Sequence, residues 1–143
     1  MAAGGIRRAT LDDVAACAGI ISAWVAQTRW MPEDLPEDRL ADLIRDAFPD
    51  REIWVAGDPV DCYMSVDPVA QKVGALYCRR TGQGLGKQFL DLAKQGREFL
   101  WLTTHVPNTA AQRFYTREGF VIAGTEPPTP PETLPVIRME WRA

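Results

Sequence analysis

The chain has 143 residues, with 19 acidic and 16 basic side chains and a net charge of −3 at neutral pH. A mildly acidic chain without a stripe of lysine and arginine argues against nucleic acid as a partner. No apolar run approaches the roughly 20 residues that cross a bilayer, and the start of the chain does not resemble a secretory signal. We therefore expect a cytoplasmic protein that does not bind membranes.

The chain is long enough for one domain whose hydrophobic core needs no disulfide or metal. Its cysteines, Cys17, Cys62 and Cys78, lack the close spacing of a zinc or redox motif. Neither a repeat nor a linker divides the sequence. We expect residues 1–143 to form a single domain with reduced thiols and no bound metal.

The first half of the chain changes from helical to strand-like spacing of its apolar residues. A short strand at 6–9 runs into a helix, whose start is marked by the capping-box pair Thr10 and Asp13. A second amphipathic helix follows the 26–36 loop and stops at Pro49. Three short β-rich runs then predict an antiparallel meander, with strands at 52–56, 61–66 and 72–78.

The second half alternates helical and strand-like segments. Helices are predicted at 85–95 and 108–117, and strands at 99–106, 120–124 and 136–141. The path from strand 72–78 through the first of these helices to strand 99–106 predicts a parallel crossover. The sequence therefore predicts an α+β (α/β) fold, with a mixed central sheet that is antiparallel in its N-terminal part. About seven strands and four helices, the latter on both faces of the sheet, are expected.

A glycine-rich loop directly precedes the helix predicted at 85–95. Gly82, Gly84 and Gly86 alternate there, so the backbone can turn sharply and direct several N–H groups outward at a helix start, where an anion is favoured. The spacing matches neither the dinucleotide fingerprint nor the P-loop. We interpret the loop as a phosphate-binding turn, with a plain strand-to-helix turn as the alternative.

A second motif follows the strand predicted at 99–106, with Asn108, Ala111, Phe114 and Tyr115 on the next helix and Gly119 and Phe120 after it. Together with the glycine loop, this motif resembles the signatures of the GNAT superfamily of N-acetyltransferases. Gly84 and Gly86 match both glycines of the first signature, Gln/Arg-x-x-Gly-x-Gly/Ala, whose first position is occupied by Thr81. The predicted order of elements is also that of the superfamily. The resemblance implies the GNAT fold, with acetyl-CoA as co-substrate of an acyltransferase. The second signature, Asn-x-x-Ala-x-x-Phe-Tyr followed by Gly-Phe, is complete here as Asn108, Ala111, Phe114, Tyr115, Gly119 and Phe120.

The resemblance also implies where acetyl-CoA binds. The strand at 72–78 would separate from the strand at 99–106, and its free backbone groups would pair with the pantetheine arm like an added strand. Backbone amides of the glycine loop would hold the pyrophosphate. The implied cofactor-binding residues are Leu76, Tyr77, Cys78, Gln83, Gly84, Leu85, Gly86, Lys87, Asn108, Ala111 and Phe114.

Acetyl transfer to an amine needs a neutral nucleophile, a donor for the oxyanion and a proton for the departing thiolate. The resemblance makes Tyr115 the general acid and the backbone amide of Tyr77 or Cys78 the oxyanion donor. His105, the only histidine, is the candidate general base, with a structural imidazole as the alternative. Further candidate bases are Glu33, Asp34 and Asp67.

Three alternatives to direct acetyl transfer stay open at this point. Cys78 and His105 could form a nucleophile and base pair that carries the acetyl group covalently. The domain could bind acetyl-CoA without turnover, as a sensor or partner module. It could also use another acyl-CoA.

The acceptor is expected to be a primary amine of a small molecule or a peptide. The resemblance places the loops at 26–36 and 127–135 over the thioester, so Trp30 and Met31 are the candidate substrate-binding residues. Many relatives of this fold pair as homodimers, so a second copy of the chain is also a candidate partner.

Overall fold

The computed structural model describes residues 5–32, 35–130 and 133–143. Every predicted strand, and the two predicted helices of the second half, end within two residues of the bounds expected from the sequence. Short 3₁₀ turns precede α1 at Leu11–Asp13 and follow α2 at Phe48–Asp50. Within the described ranges the strands are β1 (Arg7–Arg8), β2 (Glu52–Ala56), β3 (Cys62–Asp67), β4 (Lys72–Cys78), β5 (Phe99–His105), β6 (Val121–Glu126) and β7 (Val136–Arg142). The helices are α1 (Val14–Gln27), α2 (Glu37–Ala47), α3 (Leu85–Lys94) and α4 (Thr109–Arg117).

The strands form one seven-stranded sheet in the order β1-β2-β3-β4-β5-β7-β6. Strands β1 to β4 are antiparallel neighbours, β4 and β5 are parallel, and β7 pairs antiparallel with both β5 and β6. The predicted mixed sheet with an antiparallel start and one parallel crossover is confirmed. The last strand lies between β5 and β6, a position that the sequence pattern did not specify.

Strands β4 and β5 are in register only near their beginnings. Lys72 is paired with Trp101, whose backbone N–H donates to the Gln71 carbonyl at 3.0 Å. The indole Nε1 of Trp101 also donates to the Ala70 carbonyl at 2.8 Å. Beyond this point the two strands separate, and their C-terminal halves border a groove. The separation expected from the resemblance is therefore present.

The start of α1 is fixed by the predicted pair Thr10 and Asp13. The Asp13 carboxylate accepts a hydrogen bond from the Thr10 backbone N–H at 2.8 Å. It also accepts two from the Arg7 guanidinium, each at 2.9 Å. The hydrogen bonds from Arg7 are the largest cause of the lowered pKa of Asp13. This ion pair ties β1 to the beginning of α1.

One face of the sheet packs against α3. Leu100 and Leu102 of β5 and Met139 of β7 are buried with Phe89 and Leu90 of the helix. Burying a side chain of this size contributes roughly 1.5–3 kcal/mol. This layer holds α3, and with it the glycine loop, against the ends of the central strands.

The opposite face packs against α1. Cys17 and Ile20 of the helix are buried with Ile53 and Val55 of β2 and Tyr63 of β3. Helices therefore cover both faces, as the sequence predicts. None of the helices in the described ranges has both the length and the apolar composition to cross a bilayer. Glu33 and Asp34, two of the candidate bases, lie outside the described residues.

Candidate functional site

A groove of about 890 Å³ opens where β4 and β5 separate. Both strands, the glycine loop and α4 line it, which is the crevice at strand ends where open α/β sheets bind ligands. Tyr115 and His105, the two predicted catalytic residues, lie on its wall. The structure also brings every predicted cofactor-binding residue to this groove, namely Leu76, Tyr77, Cys78, Gln83, Gly84, Leu85, Gly86, Lys87, Asn108, Ala111 and Phe114.

The glycine loop has the backbone that an anion site requires. Gly82 and Gly84 have φ angles of +78° and +75°, in the left-handed region that favours glycine. Gly84 caps the N-terminus of α3, and its carbonyl accepts from the Gln88 N–H at 3.1 Å. The N–H groups of the first turn have no partner within the helix, and the loop that carries them borders the groove. This end of the groove is therefore suited to phosphate.

Gly86 allows α4 to approach the first turn of α3. A Cβ atom at this position would lie 2.8 Å from the Cζ atom of Phe114. The ring of Phe114 therefore occupies the space that any other residue at 86 would need. The present position of Phe114 in α4 therefore requires glycine at 86, the last of the three glycines of the loop.

The cations next to the loop are engaged by neighbouring acids. The Arg80 guanidinium donates to both oxygens of Asp61, and its Nη1 donates to the Gln83 side chain at 3.0 Å. The hydrogen bond to Asp61 raises the pKa of Arg80. Lys87 lies 3.5 Å from both Asp91 and Glu118, whose charges raise its pKa. Arg80 therefore ties the loop to Asp61, the residue directly before β3, and Lys87 stays protonated at the groove.

Asn108 shapes the start of α4. Its Oδ1 accepts a hydrogen bond from the Ala111 N–H at 3.1 Å, which makes it the N-cap of the helix. Its own backbone N–H donates to the His105 carbonyl at 2.9 Å. Because the cap uses the carbonyl oxygen, the Nδ2 hydrogens are the donors that Asn108 can offer to a ligand.

Tyr115 lies on the groove wall and is half-buried. Its ring packs against Phe114 at 5.1 Å and Phe120 at 5.7 Å between ring centroids. Burial raises the pKa of the phenol above its ordinary value, and the nearby Tyr77 and Cys78 contribute in the same direction. The phenol is therefore protonated at neutral pH and can donate a proton or a hydrogen bond to a group in the groove.

Cys78 faces another cysteine across the strand pair. Cys62 and Cys78 are directly opposite each other in β3 and β4, and both are free thiols. The hydrogen bond between the two thiols, followed by burial, raises the pKa of Cys78. A protonated thiol that contacts Cys62 is a poor nucleophile, so the arrangement disfavours covalent transfer through Cys78 and His105. Among the described residues, no three His, Cys, Asp or Glu side chains form a candidate metal site.

Asp67, another candidate base, is not brought to the groove. Its carboxylate accepts from the backbone N–H groups of Val69 and Ala70, each at 3.1 Å. These bonds lower its pKa and hold the turn between β3 and β4. Asp67 is therefore a turn residue at the opposite end of β4 from Cys78.

An aromatic cluster lies at the end of the groove near His105. The ring of Trp24 is 5.7 Å from that of Trp30, 5.5 Å from that of Tyr77 and 6.5 Å from that of His105, between centroids. Trp24, Tyr77 and His105 line the groove, whereas Trp30 and Met31 do not. Trp30 instead packs against Trp24 and His105. Sequence reasoning missed Trp24; its place in the last turns of α1, just before the predicted acceptor loop, is the signal that points to it.

Three solved structures share the fold over most of the chain. The yncA protein of Salmonella typhimurium, solved with its cofactor acetyl-CoA, is 21% identical with a TM-score of 0.71, covering 96% of this chain and 92% of that one. A ribosomal-protein-alanine N-acetyltransferase of Brucella melitensis is 19% identical with a TM-score of 0.74, covering 97% and 99%. A chimera of the Vibrio cholerae spermidine N-acetyltransferase SpeG and hSSAT is 15% identical with a TM-score of 0.69, covering 96% and 94%.

Residues 79–120 match the model of the acetyltransferase (GNAT) family. This segment contains the glycine loop, α3, β5 and α4, the elements that line much of the groove. No curated protein sequence gives a significant match. The family model matches this segment of the chain, and the fold is shared with solved N-acetyltransferase structures over nearly the whole chain.

Proposed function

We propose that the protein transfers an acetyl group from acetyl-CoA directly to a primary amine of a small molecule or a peptide. The observation that carries this proposal is the groove between the separated ends of β4 and β5. It combines a phosphate-binding loop at one end with a protonated phenol, Tyr115, on its wall. Acetyl-CoA, when bound, would supply an acetyl group activated as a thioester.

The residues of the groove fit acetyl-CoA in their chemistry. The N–H groups of residues 83–87 suit the pyrophosphate, because they lie at a helix start next to the protonated Lys87. The backbone groups of Leu76, Tyr77 and Cys78 suit the amides of the pantetheine arm, because β5 has moved away from them. The Nδ2 group of Asn108 adds a donor on the α4 side.

Tyr115 is the proposed general acid. As the bond between the acetyl carbon and sulfur breaks, the thiolate that leaves takes a proton from the phenol. A positioned acid of this kind typically contributes about 10² to 10⁴ in rate. The phenol carries its proton at neutral pH and can donate it as negative charge develops on the leaving sulfur.

The backbone amide of Tyr77 or Cys78 is the proposed donor to the oxyanion. His105, at the end of β5 and on the groove wall, is the proposed base that removes a proton from the incoming amine, directly or through water. The new bond joins the amine nitrogen to the acetyl carbon. One proton leaves the amine and one reaches the thiolate, so no covalent enzyme intermediate is needed.

The names of the relatives support an amine acceptor without fixing which one. One is named for the alanine of a ribosomal protein and another for spermidine. The identity of the acceptor amine therefore has to be inferred from the residues of this chain that line the groove.

The proposal is tested by binding and by turnover. Acetyl-CoA should raise the unfolding temperature, because a ligand that binds only the folded state stabilises it. Thiol release from acetyl-CoA should then depend on adding a primary amine, and mass spectrometry should detect the acetylated amine. Stabilisation without amine-dependent thiol release would favour the alternative that the protein is a sensor of acetyl-CoA. Faster thiol release from a longer acyl-CoA would favour the alternative that the enzyme uses another acyl group.

A further inference from the structure

The aromatic cluster of Trp24, Trp30, Tyr77 and His105 comes from four different segments of the chain. Trp24 lies in α1, Trp30 follows that helix, Tyr77 lies near the end of β4, and His105 ends β5. Neighbouring centroids are 5.5–6.5 Å apart. Because residues far apart in sequence converge here, the cluster is a feature of the folded site and not of one amphipathic helix.

Three rings of this cluster line the groove, and we call them the aromatic wall: Trp24, Tyr77 and His105. Their neighbours fix the orientation of these rings. Tyr77 contacts Trp24 edge to face on one side and stacks on the buried Tyr63 at 5.9 Å on the other. Trp30 contacts both Trp24 and His105 and so supports them from outside the groove lining. The rings of Trp24 and His105 are inclined by only 25° to each other. Trp24, Tyr77 and His105 therefore present to the groove aromatic rings that are held in place by their neighbours.

The wall lies beside the atoms that take part in transfer. The backbone amide of Tyr77, whose ring belongs to the wall, or that of the adjacent Cys78 is the proposed oxyanion donor. Its phenol is also close enough to Tyr115 to contribute to the raised pKa of that residue. Trp24 and Tyr115 line the same groove. A molecule that packs on Trp24 is therefore held at the acceptor side of the proposed transfer site.

An aromatic wall favours an aromatic ligand over an aliphatic ligand of similar size. Ring pairs prefer edge-to-face or offset contacts with centroids about 4.5–7 Å apart, the arrangement that the cluster's own rings adopt. Such a contact increases affinity by about two- to tenfold beyond what buried area alone gives.

We infer that the acceptor is an arylalkyl amine, that is, a primary amine on a short alkyl chain attached to an aromatic ring. This inference rests on the proposed function. The aromatic ring packs against Trp24 and Tyr77, and the amine is thereby directed to the acetyl group near Tyr115. Trp24 is the residue that sets this specificity, since it lines the groove and contacts the other three rings.

The turnover test compares amines that differ in one property. 2-Phenylethylamine and 2-cyclohexylethylamine have the same carbon skeleton, but only the first is flat and aromatic; spermidine serves as a flexible polycation. With acetyl-CoA as donor, kcat/KM should be about fivefold or more higher for 2-phenylethylamine than for either of the others. Equal values, or a preference for spermidine or the cyclohexyl amine, would overturn the inference while leaving amine acetylation intact.

The binding test does not need turnover. Calorimetry with both ring amines, in the presence of CoA, should give tighter binding of 2-phenylethylamine to the wild-type protein. In Trp24→Leu this preference should disappear while acetyl-CoA affinity is retained, and in Trp24→Phe, which keeps a flat ring, it should persist. If Trp24→Leu does not fold, Trp24→Phe still tests the inference, because loss of the preference in that variant contradicts it.

A matched control is Trp54→Leu, which removes a half-buried tryptophan of β2 outside the groove lining. It should keep the preference for 2-phenylethylamine. Selective binding without any acetylation would support the aromatic site and refute the proposed function. Acetylation without this selectivity would support the proposed function and refute the aromatic site.

Discussion

The Cβ position of Gly86 lies 2.8 Å from the Cζ atom of Phe114, so a side chain at 86 and the present position of that ring exclude each other. Gly86 belongs to the first turn of α3, and Phe114 belongs to α4. Both line the groove. The two helices therefore meet beside the glycine loop through a contact that only glycine permits.

Replacing Gly86 by alanine should weaken acetyl-CoA binding. The new methyl group would push Phe114 toward the groove or tilt α3, and overpacking of this kind typically costs about 1–3 kcal/mol. We expect a rise of about tenfold or more in the Kd for acetyl-CoA, measured by calorimetry. Gly124→Ala is the control, because nothing lies within 4 Å of its Cβ position. Unchanged affinity in Gly86→Ala would contradict the packing account.

Replacing Tyr115 by phenylalanine should slow the reaction without preventing cofactor binding. The ring contacts with Phe114 and Phe120 would remain, whereas the proton for the leaving thiolate would be lost. We expect kcat to fall by about 10² to 10⁴ with an unchanged Kd for acetyl-CoA. Tyr63→Phe removes a phenolic hydroxyl outside the groove lining and should keep kcat. A Tyr115→Phe enzyme with normal kcat would show that another group supplies the proton.

Replacing Cys78 by alanine should preserve most of the activity. The thiol contacts Cys62 and is protonated, and the proposed role of residue 78 uses its backbone. Steady-state thiol release measures kcat, and intact-mass spectrometry checks for an acetylated enzyme. A loss as large as that expected for Tyr115→Phe, together with a trapped acetyl group on the wild-type chain, would restore the covalent mechanism.

Replacing Asp13 by asparagine should destabilise the fold. The carboxylate accepts hydrogen bonds from Arg7 and Thr10, and its side chain is only 11% exposed. Loss of charge-assisted bonds at such a site costs about 1–3 kcal/mol, which urea unfolding at pH 7 can measure. Asp12→Asn, an exposed neighbour, is the control.

The pH dependence of stability gives an independent check on Asp13. Its pKa in the folded state is lowered, so its contribution is complete above the ordinary value of about 3.9 and is lost as the pH falls through the lower folded value. The difference in unfolding free energy between wild type and Asp13→Asn should therefore shrink in acid. A difference that stays constant from pH 7 down to acid unfolding would show that the ion pair is not its cause.

Local patterns made much of this protein predictable. The turn that precedes α3 needs left-handed residues, and Gly82 and Gly84 stand at those positions with φ of +78° and +75°. Asn108 caps the N-terminus of α4, a position at which asparagine is strongly preferred. Both features depend on neighbours in sequence, so the spacing of a few residues is enough to predict them.

Contacts between distant segments were not predictable in the same way. Trp24 reaches the groove because α1 packs beside β4, which its helical spacing alone does not reveal. Arg80 is held by Asp61, which lies 19 residues earlier in the sequence, directly before β3. The insertion of β7 between β5 and β6 also depends on tertiary packing. The aromatic end of the groove, which we propose binds the acceptor, is therefore the part that required the structure.

Hydrogen exchange measured with and without acetyl-CoA tests the central claim most directly, because the proposed contacts are backbone groups that side-chain replacement does not remove. The account predicts slower exchange of the amides of residues 76–78 and 83–87 when acetyl-CoA binds. Strand β2, none of whose residues lines the groove, should be unaffected. Binding without protection of these two segments, or with protection elsewhere, would contradict the account.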